Sequence, residues 1–540
     1  MNFSRITAAI LALGMTMPAF TSTSSFAQEP KCSGDVNDDS VFNISDIVMM
    51  QRWLGGKTEL SNAENADVNG DGTIDVFDMC QMRKMLVSGA AQEIMPVSRN
   101  LCSGIEKTKV KGMEADDKFA KGQRQFAVDI FKAAVASSYF AEEDTKTEGD
   151  NENEPENDAE TDVKKDEKKG DGNVFISPYS IMQSLAMTAN GTKGATLEQI
   201  EEVLGGVPIE ELNKYLYLFR NKVGSSNDSV IDTANSVWVR DDPKWIRPVP
   251  EFIQTNLDYY DADYYLSAFD DDTLKDINKW VDIKTQHYIP EIVDEIKPDD
   301  IFYIIDAVVL DAEWLSNYMR YQVTNWIFED VNGEKQGCEF MGTSAGYIGD
   351  DDTDGFIKYY KDKNIAYAAL LPHEDIDIHD YIRNLTPEKL DALLAQEIEE
   401  GADTLMPKYG LEYENDLTDE LKAIGMDIAF TESADFTGLS SADVPTYLRY
   451  VKHKTTLEVN ERGTKATAAT VSGGLAGSGP LKKQVFLTRP FVYCIYDIET
   501  RIPLFIGALM TIPEKSSFEP DAELLRNYEE WENEENGTDS

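Results

Sequence analysis

Two twelve-residue stretches near the N-terminus limit local folding more tightly than anything else in this chain. Residues 35–46 read DVNDDSVFNISD and residues 67–78 read DVNGDGTIDVFD, in register at an offset of 32. Asp35, Asn37, Asp39, Asn43 and Asp46 match Asp67, Asn69, Asp71, Asp75 and Asp78. Oxygen donors at loop positions 1, 3, 5, 9 and 12 are what a hard cation such as calcium takes from one tight turn. A single match carries little weight in so acidic a chain, but two copies in register carry a great deal. The apolar residues behind them repeat as well. Ile47, Met50 and Leu54 recur as Met79, Met82 and Leu86, so each loop feeds an amphipathic helix whose stripe can bury the other.

Residues 31–95 resemble a dockerin, the small all-α duplicated calcium module that plugs proteins into cohesin domains of a cellulosome scaffold. The resemblance implies two calcium sites, formed by the residues above with the carbonyls of Val41 and Thr73 at position 7. It also implies cohesin recognition by Ile44, Ser45, Val76 and Phe77. One position departs from the family: loop position 6 is Gly72 in the second copy but Ser40 in the first. Glycine tolerates the strained turn there, so the first site is expected to hold calcium more weakly.

Length and charge bound the rest. The 540 residues have room for one large domain plus a small one, or for three ordinary domains. A formal charge of −49 argues against nucleic acid and against anionic membrane surfaces as partners. Arg5 precedes the apolar ITAAILALGMTMPAF, and SFA at 25–27 fits a small-residue cleavage site. Residues 1–27 therefore read as an export signal, with a secreted mature chain starting near Gln28. That apolar run is too short for a transmembrane helix, and no later segment is long and apolar enough. Five cysteines are too few and scattered for a disulfide scaffold; Cys32 and Cys80 can pair, and the lack of CxxC argues against a zinc ribbon.

Residues 96–116 read as a linker and 117–514 as a large α+β domain, from helical stripes mixed with alternating strands. Residues 141–172 are dense in charge and nearly free of apolar side chains. Ordering them would cost entropy with no burial to offset it, so they are expected to form a disordered insertion. It lies between FAVDIFKAAVASSYF and NVFISPYSIMQSLAM, inside the domain rather than at its edge. Residues 515–540 read as a solvated acidic tail.

Two enzyme motifs are present in letters only. GTSAG at 342–346 matches the G-x-S-x-G elbow, with Ser344 as nucleophile and His373, His379 or His453 as base. The elbow needs a strand before it and a helix after it, whereas GCEFMGTSAGYIGDDDTDGF runs into glycine and aspartate. Paired carboxylates of the glycosidase kind mean little among 99 acidic residues.

A different stretch carries more. NERGTKATAATVSGGLAGSGP, 460–480, is almost entirely small residues, and from Gly463 to Gly479 it has no proline. A central strand needs every N–H, and alternation puts Thr464, Ala466, Ala468 and Thr470 on one face, all small, with Lys465 on the other. The same composition also describes a flexible linker, although that leaves the Thr/Ala-rich half anchored to HKTTLEVNERGT unexplained. Six collinear segments resemble serpins, the serine-protease inhibitor family: 173–187, ANSVW at 234–238, INKWVDIKT at 277–285, 423–440, 451–470 and 488–513.

The resemblance covers essentially all of 117–514 and implies the serpin fold: a large central β-sheet, further sheets, about nine helices and an exposed reactive loop. It implies that the chain is an inhibitor and not an enzyme. A target protease attacks the loop as substrate, forms an acyl-enzyme, and is trapped in a covalent complex when the cut loop inserts as a new strand. Glu461, Gly463, Thr464, Ala466, Ala468 and Thr470 fall in the hinge. Counting from the hinge sets the cleaved bond at Gly477–Ser478, within a bracket from Ala476 to Pro480. Small residues there suggest an elastase- or subtilisin-like serine protease; a longer loop would put Lys482 or Lys483 at the bond and suggest a trypsin-like one. The alternative is a non-inhibitory serpin scaffold docked on the cellulosome. The polar shutter corresponds to Ser177, Ser180 and His453, with Asp306 where the family usually has Asn. Asp306 and His453 are read either as a charged pair that raises the imidazole pKa, or as a neutral hydrogen-bonded cluster.

Overall fold

The computed structural model describes residues 98–147, 172–223, 229–285, 287–396, 398, 401–464 and 483–535. Before these it describes the helix Ile44–Leu54 and residues 34, 36, 42, 60, 61, 63–66, 68, 74, 79 and 82. The chain divides into two compact units, Met1–Ile94 and Met95–Ser540.

In the first unit the helix Ile44–Leu54 begins with Asp46 in its first turn, and the buried Asp46 carboxylate accepts the Val36 N–H at 2.9 Å. Val36, Phe42, Ile47, Met50, Ala66 and Met82 form the core, with Trp53, Val68, Ile74 and Met79 against it. Residues from both halves of the repeat therefore pack together. Leu54, the last residue of the helix, is exposed instead of joining the stripe, and Trp53 packs in its place. Ile44 and Ser45 open the helix. Val76, Phe77 and the loop positions Asp35, Asn37, Asp39, Val41, Asn43, Asp67, Asn69, Asp71, Thr73, Asp75 and Asp78 lie outside the described residues.

The second unit is built on two sheets. One runs β1 (Arg99–Asn100), β4 (Asp263–Ser267), β3 (Ser229–Arg240), β5 (Phe302–Glu313), β13 (Gly463–Thr464), β12 (Lys452–Val459), β11 (Tyr409–Asp416). The other runs β14 (Lys483–Phe486), β10 (Gly401–Pro407), β7 (Lys335–Gly349), β8 (Thr353–Tyr359), β9 (Ile365–Pro372), β15 (Phe491–Asp497), β16 (Pro503–Leu509), β2 (Val174–Ile176). Two further strands, β6 (Val323–Glu329) and β17 (Ser517–Phe518), also pair with β7. β5 alternates between two cores. Val308, Leu310 and Ala312 enter the main core with the almost wholly buried helix Pro178–Ala189. Ile305 and Ala307 face a second cluster with Ile277, Trp280 and Val281 of the helix Asp271–Lys284. β5, in the middle of the sheet, is thus covered on both faces, as a mostly apolar strand requires.

Three segments differ from the expectations of composition. Residues 96–116 are part of the large unit, not a linker. β1 pairs with β4, Ser98 donates to Asp276 through both its N–H and Oγ at 2.9 and 2.6 Å, and Thr108 N–H donates to Asp258 at 2.8 Å. These anchors are hydrogen bonds from single residues, which leave no hydrophobic period in the sequence. The helix Asp117–Thr147 runs into the acidic stretch before 148–171 pass outside the described residues.

Residues 515–540 are not simply a tail. Phe518 of β17 fills the space left by Gly337, whose Cβ would lie 2.5 Å from the Phe518 ring. The helix Ala522–Glu535 buries Tyr528 and lays Trp531 against Trp326. Its acidic composition hides an apolar stripe of Leu524, Tyr528 and Trp531 at helical spacing. GTSAG lies inside β7, paired with β10 from Gly342↔Leu405 to Gly346↔Gly401, so no strand–turn–helix elbow presents Ser344.

Candidate functional site at the centre of the large sheet

β12 carries the chain to Val459, residues 460–462 turn it, and Gly463–Thr464 return between β12 and β5 as β13. Pairing is Thr464↔Val459 on one side and Gly463↔Glu313, Thr464↔Ala312 on the other. Among the described residues this two-residue strand is the ladder that joins β5 to β12. Its fit is close: a Cβ on Gly463 would lie 1.9 Å from the Ala312 carbonyl oxygen.

The turn is held by residues distant in sequence. The Trp314 N–H and indole N–H donate to the carbonyls of Arg462 and Asn460 at 2.7 and 2.9 Å, and Tyr318 N–H donates to Glu461 O at 2.8 Å. Trp314 stacks on Tyr360, ring centroids 4.5 Å apart, and the Tyr360 hydroxyl lies 2.5 Å from Thr464 Oγ1. Lys408 Nζ bridges Glu461 and Glu339 at 2.9 and 2.6 Å. Lys358 sits under the rings of Tyr318 and Trp314 and donates to Ser316 O at 2.9 Å; burial lowers its ammonium pKa to about 8. Of the residues expected to form the hinge, Glu461, Gly463 and Thr464 are described here, whereas Ala466, Ala468 and Thr470, and the expected cleavage site Gly477–Ser478 with its bracket Ala476 to Pro480, lie outside the described residues. The Trp314, Tyr318, Tyr360, Lys358 and Lys408 contributions were not foreseen. Only Trp314 left a trace, as the tryptophan closing IIDAVVLDAEW.

Further down the slot the four shutter residues come together, though not as a charged pair. Ser177 caps the helix Pro178–Ala189: its Oγ accepts the Ser180 N–H at 3.1 Å and donates to Leu504 O at 2.8 Å. The Ser177 N–H donates to His453 Nε2 at 3.0 Å, which fixes that nitrogen as unprotonated. The Ser180 hydroxyl donates to Asp306 Oδ1, and the other oxygen of Asp306 has no hydrogen-bond partner among the described residues. Each charged candidate is therefore bonded to a different serine of one helix start.

Burial then sets both protonation states. It pushes the Asp306 carboxyl up to about 8, against the pull of the Ser180 hydroxyl and the Arg220 guanidinium, and pushes the His453 imidazole down to about 3. At neutral pH the histidine is neutral and the aspartic acid largely protonated. Asn235, directly across from Asp306 on β3, donates to Tyr260 O at 3.0 Å, and Arg220 donates to the same carbonyl at 2.6 Å. A polar layer thus crosses the sheet at one level.

Comparison with known proteins agrees with this geometry. The family described as Serpin (serine protease inhibitor) matches residues 162–512, and the type I dockerin domain matches residues 33–87. The chain is 29% identical over 349 residues to serpin B8 of Homo sapiens, covering 62% of this chain and 92% of that protein. It is 27% identical over 358 residues to the leukocyte elastase inhibitor of Xenopus laevis, again covering 62% and 92%. Among solved structures, the native state of the thermophilic serpin tengpin superimposes with a TM-score of 0.67 at 35% identity, covering 77% of this chain and all of that one. The chain belongs to the serpin family and carries a type I dockerin domain.

The protonation states predict a pH dependence. The folded Asp306 pKa of about 8 exceeds its unfolded value of about 4. Between these values the native state holds a proton the unfolded chain has released, so stability falls as pH rises from about 4 to about 8 and is level above. His453 acts at the other end, its contribution being lost as pH falls from about 6.5 toward 3. Urea unfolding of the uncut protein should give an unfolding free energy that drops between pH 6 and pH 8, by at most about a factor of ten in the unfolding equilibrium constant per pH unit. In Asp306→Asn the drop should vanish; an equal drop in that variant would show that Asp306 is not its source.

Proposed function

We propose that this protein is a secreted inhibitor that traps serine proteases by inserting its cut reactive loop between β5 and β12, while its dockerin tethers it to a cohesin of a cellulosome scaffold. The observation that carries the reading is the half-entered hinge, with Gly463 and Thr464 already paired between β12 and β5, a strand covered on both faces.

The pairing can be continued. Keeping the step of Thr464↔Ala312 sets Ala466 opposite Leu310, Ala468 opposite Val308 and Thr470 opposite Asp306. Keeping that of Thr464↔Val459 sets the same three opposite Leu457, Thr455 and His453. Each is small enough to enter a packed layer, and the one hydroxyl among them meets the polar level of the sheet. Larger or charged residues there would stop the strand, because cores accept little added volume and no unpaired charge. About 14 residues from the hinge to Gly477 amount to ~45 Å of strand, enough to carry a tethered protease the length of the sheet.

Small residues at Gly477–Ser478 fit an elastase- or subtilisin-like protease, and one relative carries the name of an elastase inhibitor. Attached to a polysaccharide-degrading complex, such an inhibitor would shield scaffold and hydrolases from proteolysis. The protein should form a band with elastase or subtilisin that survives SDS, and mass spectrometry of the released peptide should begin at Ser478. Thr464→Arg forces a guanidinium into the buried hinge and should convert the inhibitor to a plain substrate. Complete cleavage of the unsubstituted protein without a stable band would instead make it the non-inhibitory scaffold.

Type I dockerins bind calcium as a family. The buried Asp46 carboxylate in the first turn of its helix suits the twelfth position of such a loop. We place one ion in each loop, Asp35 to Asp46 and Asp67 to Asp78. Calorimetric titration of the stripped full chain should give two sites in this module, the first weaker because of Ser40. Asp46→Ala should remove the weaker one and spare the other; loss of both or neither contradicts the assignment.

A further inference from the structure

The serpin match ends at residue 512, yet the chain folds on. The helix Ala522–Glu535 sets Tyr528 and Trp531 against Trp326 of β6, ring centroids 6.1 and 5.9 Å away. Trp531 also reaches Phe486 of β14 at 6.4 Å. Lys335 of β7 fixes the helix from the side, 4.7 Å from the Tyr528 ring and 3.6 Å from Glu532.

β14 is where the reactive stretch ends. Among the described residues it is the edge strand of its sheet, four residues long, paired only with β10 from Lys483↔Ala402 to Phe486↔Leu405. β10 continues through Lys408, which is bonded to Glu461, into β11, so β14 is attached at the hinge end of the slot. Short edge strands are among the first elements to open.

The uncut chain is tethered at both ends, Thr464 in β13 and Lys483 in β14. In the register that Thr464↔Ala312 begins, pairing down to Phe302 uses residues up to Gly474 and leaves 475–482 to return. The nine extended steps from Gly474 to Lys483 span at most ~32 Å, against ~36 Å of strand from Glu313 to Phe302. Complete insertion of an uncut loop therefore has to strip β14 from β10. After cleavage the inserting segment is free of β14, and no such cost arises.

We propose that the C-terminal helix is a clamp on β14, through Trp531 on Phe486, that blocks insertion of the uncut loop while leaving insertion after cleavage unhindered. The clamp rests on the reading that the cut loop inserts between β5 and β12. It adds a restraint to the one event that separates the two routes. It keeps the inhibitor active over time without slowing the trap.

The full-length protein should be incubated uncut at raised temperature and sampled for residual inhibition of elastase, for migration on native gels and for chain integrity by mass spectrometry. Trp531→Ala should convert to an uncut inactive form on the order of tenfold faster, as expected for the loss of the two aromatic pairs that Trp531 makes with the sheet, to Trp326 and Phe486. Trp531→Phe, a milder change, should stay near the unsubstituted rate. Phe486→Ala should also accelerate conversion, and the double variant should be no faster than the faster single one, since both remove the same contact. Unchanged conversion in Trp531→Ala, or rates that multiply in the double variant, would overturn the clamp. Cutting the loop should raise resistance to urea in every variant; absence of that gain would overturn the insertion reading itself, and the clamp with it.

Discussion

Among the described residues, Gly463 and Thr464 are what joins the two parts of the central sheet, between β5 and β12. They pair with β5 on one side and β12 on the other, and they hide a glycine that nothing larger can replace and a threonine bonded to Tyr360. Around them, Trp314, Tyr318 and Lys408 hold the turn through its carbonyls and through Glu461. On the proposed mechanism, a strand begun here has already met the steric and hydrogen-bonding demands of the gap between β5 and β12, so further entry would be propagation and not nucleation, and cleavage would need only to remove the restraint on the rest.

Below the hinge the slot changes character. Leu310 and Val308 on β5, and Leu457 on β12, give way to Asp306 and His453, each bonded to its own serine at the start of one buried helix. A largely protonated carboxylic acid and a neutral imidazole make that level polar without either adding a charge of its own. Such a layer is held by directional bonds, while the apolar levels above it are held by area. It therefore fixes the register of anything that enters, because a one-residue slip would turn every side chain to the opposite face.

The sequence made some of this legible and hid the rest for physical reasons. The duplicated loops and the proline-free run of small residues were readable because spacing and composition are local properties. Ser177, Ser180 and His453 were legible only through the resemblance of their segments to serpins. The bond pattern among them was not: adjacency in sequence suggests nothing about whether Asp306 meets His453 or Ser180 across a sheet. Lys408 and Tyr360 left no local signal, since their partners lie 53 and 104 positions away. The C-terminal helix is hidden in the sequence because charge density outweighs three apolar residues at helical spacing, and the anchoring of 98–116 because isolated hydrogen bonds have no period.

The central claim is that the slot between β5 and β12 accepts residues 465 onward as a strand in the register that Gly463 and Thr464 begin. A crystal structure of the chain cut within its reactive loop tests this most directly. The account predicts a full strand between β5 and β12, with Ala466 beside Leu310 and Leu457 and with Thr470 between Asp306 and His453. A cut loop lying outside the sheet, with β5 and β12 still joined through Gly463–Thr464 alone, would contradict it.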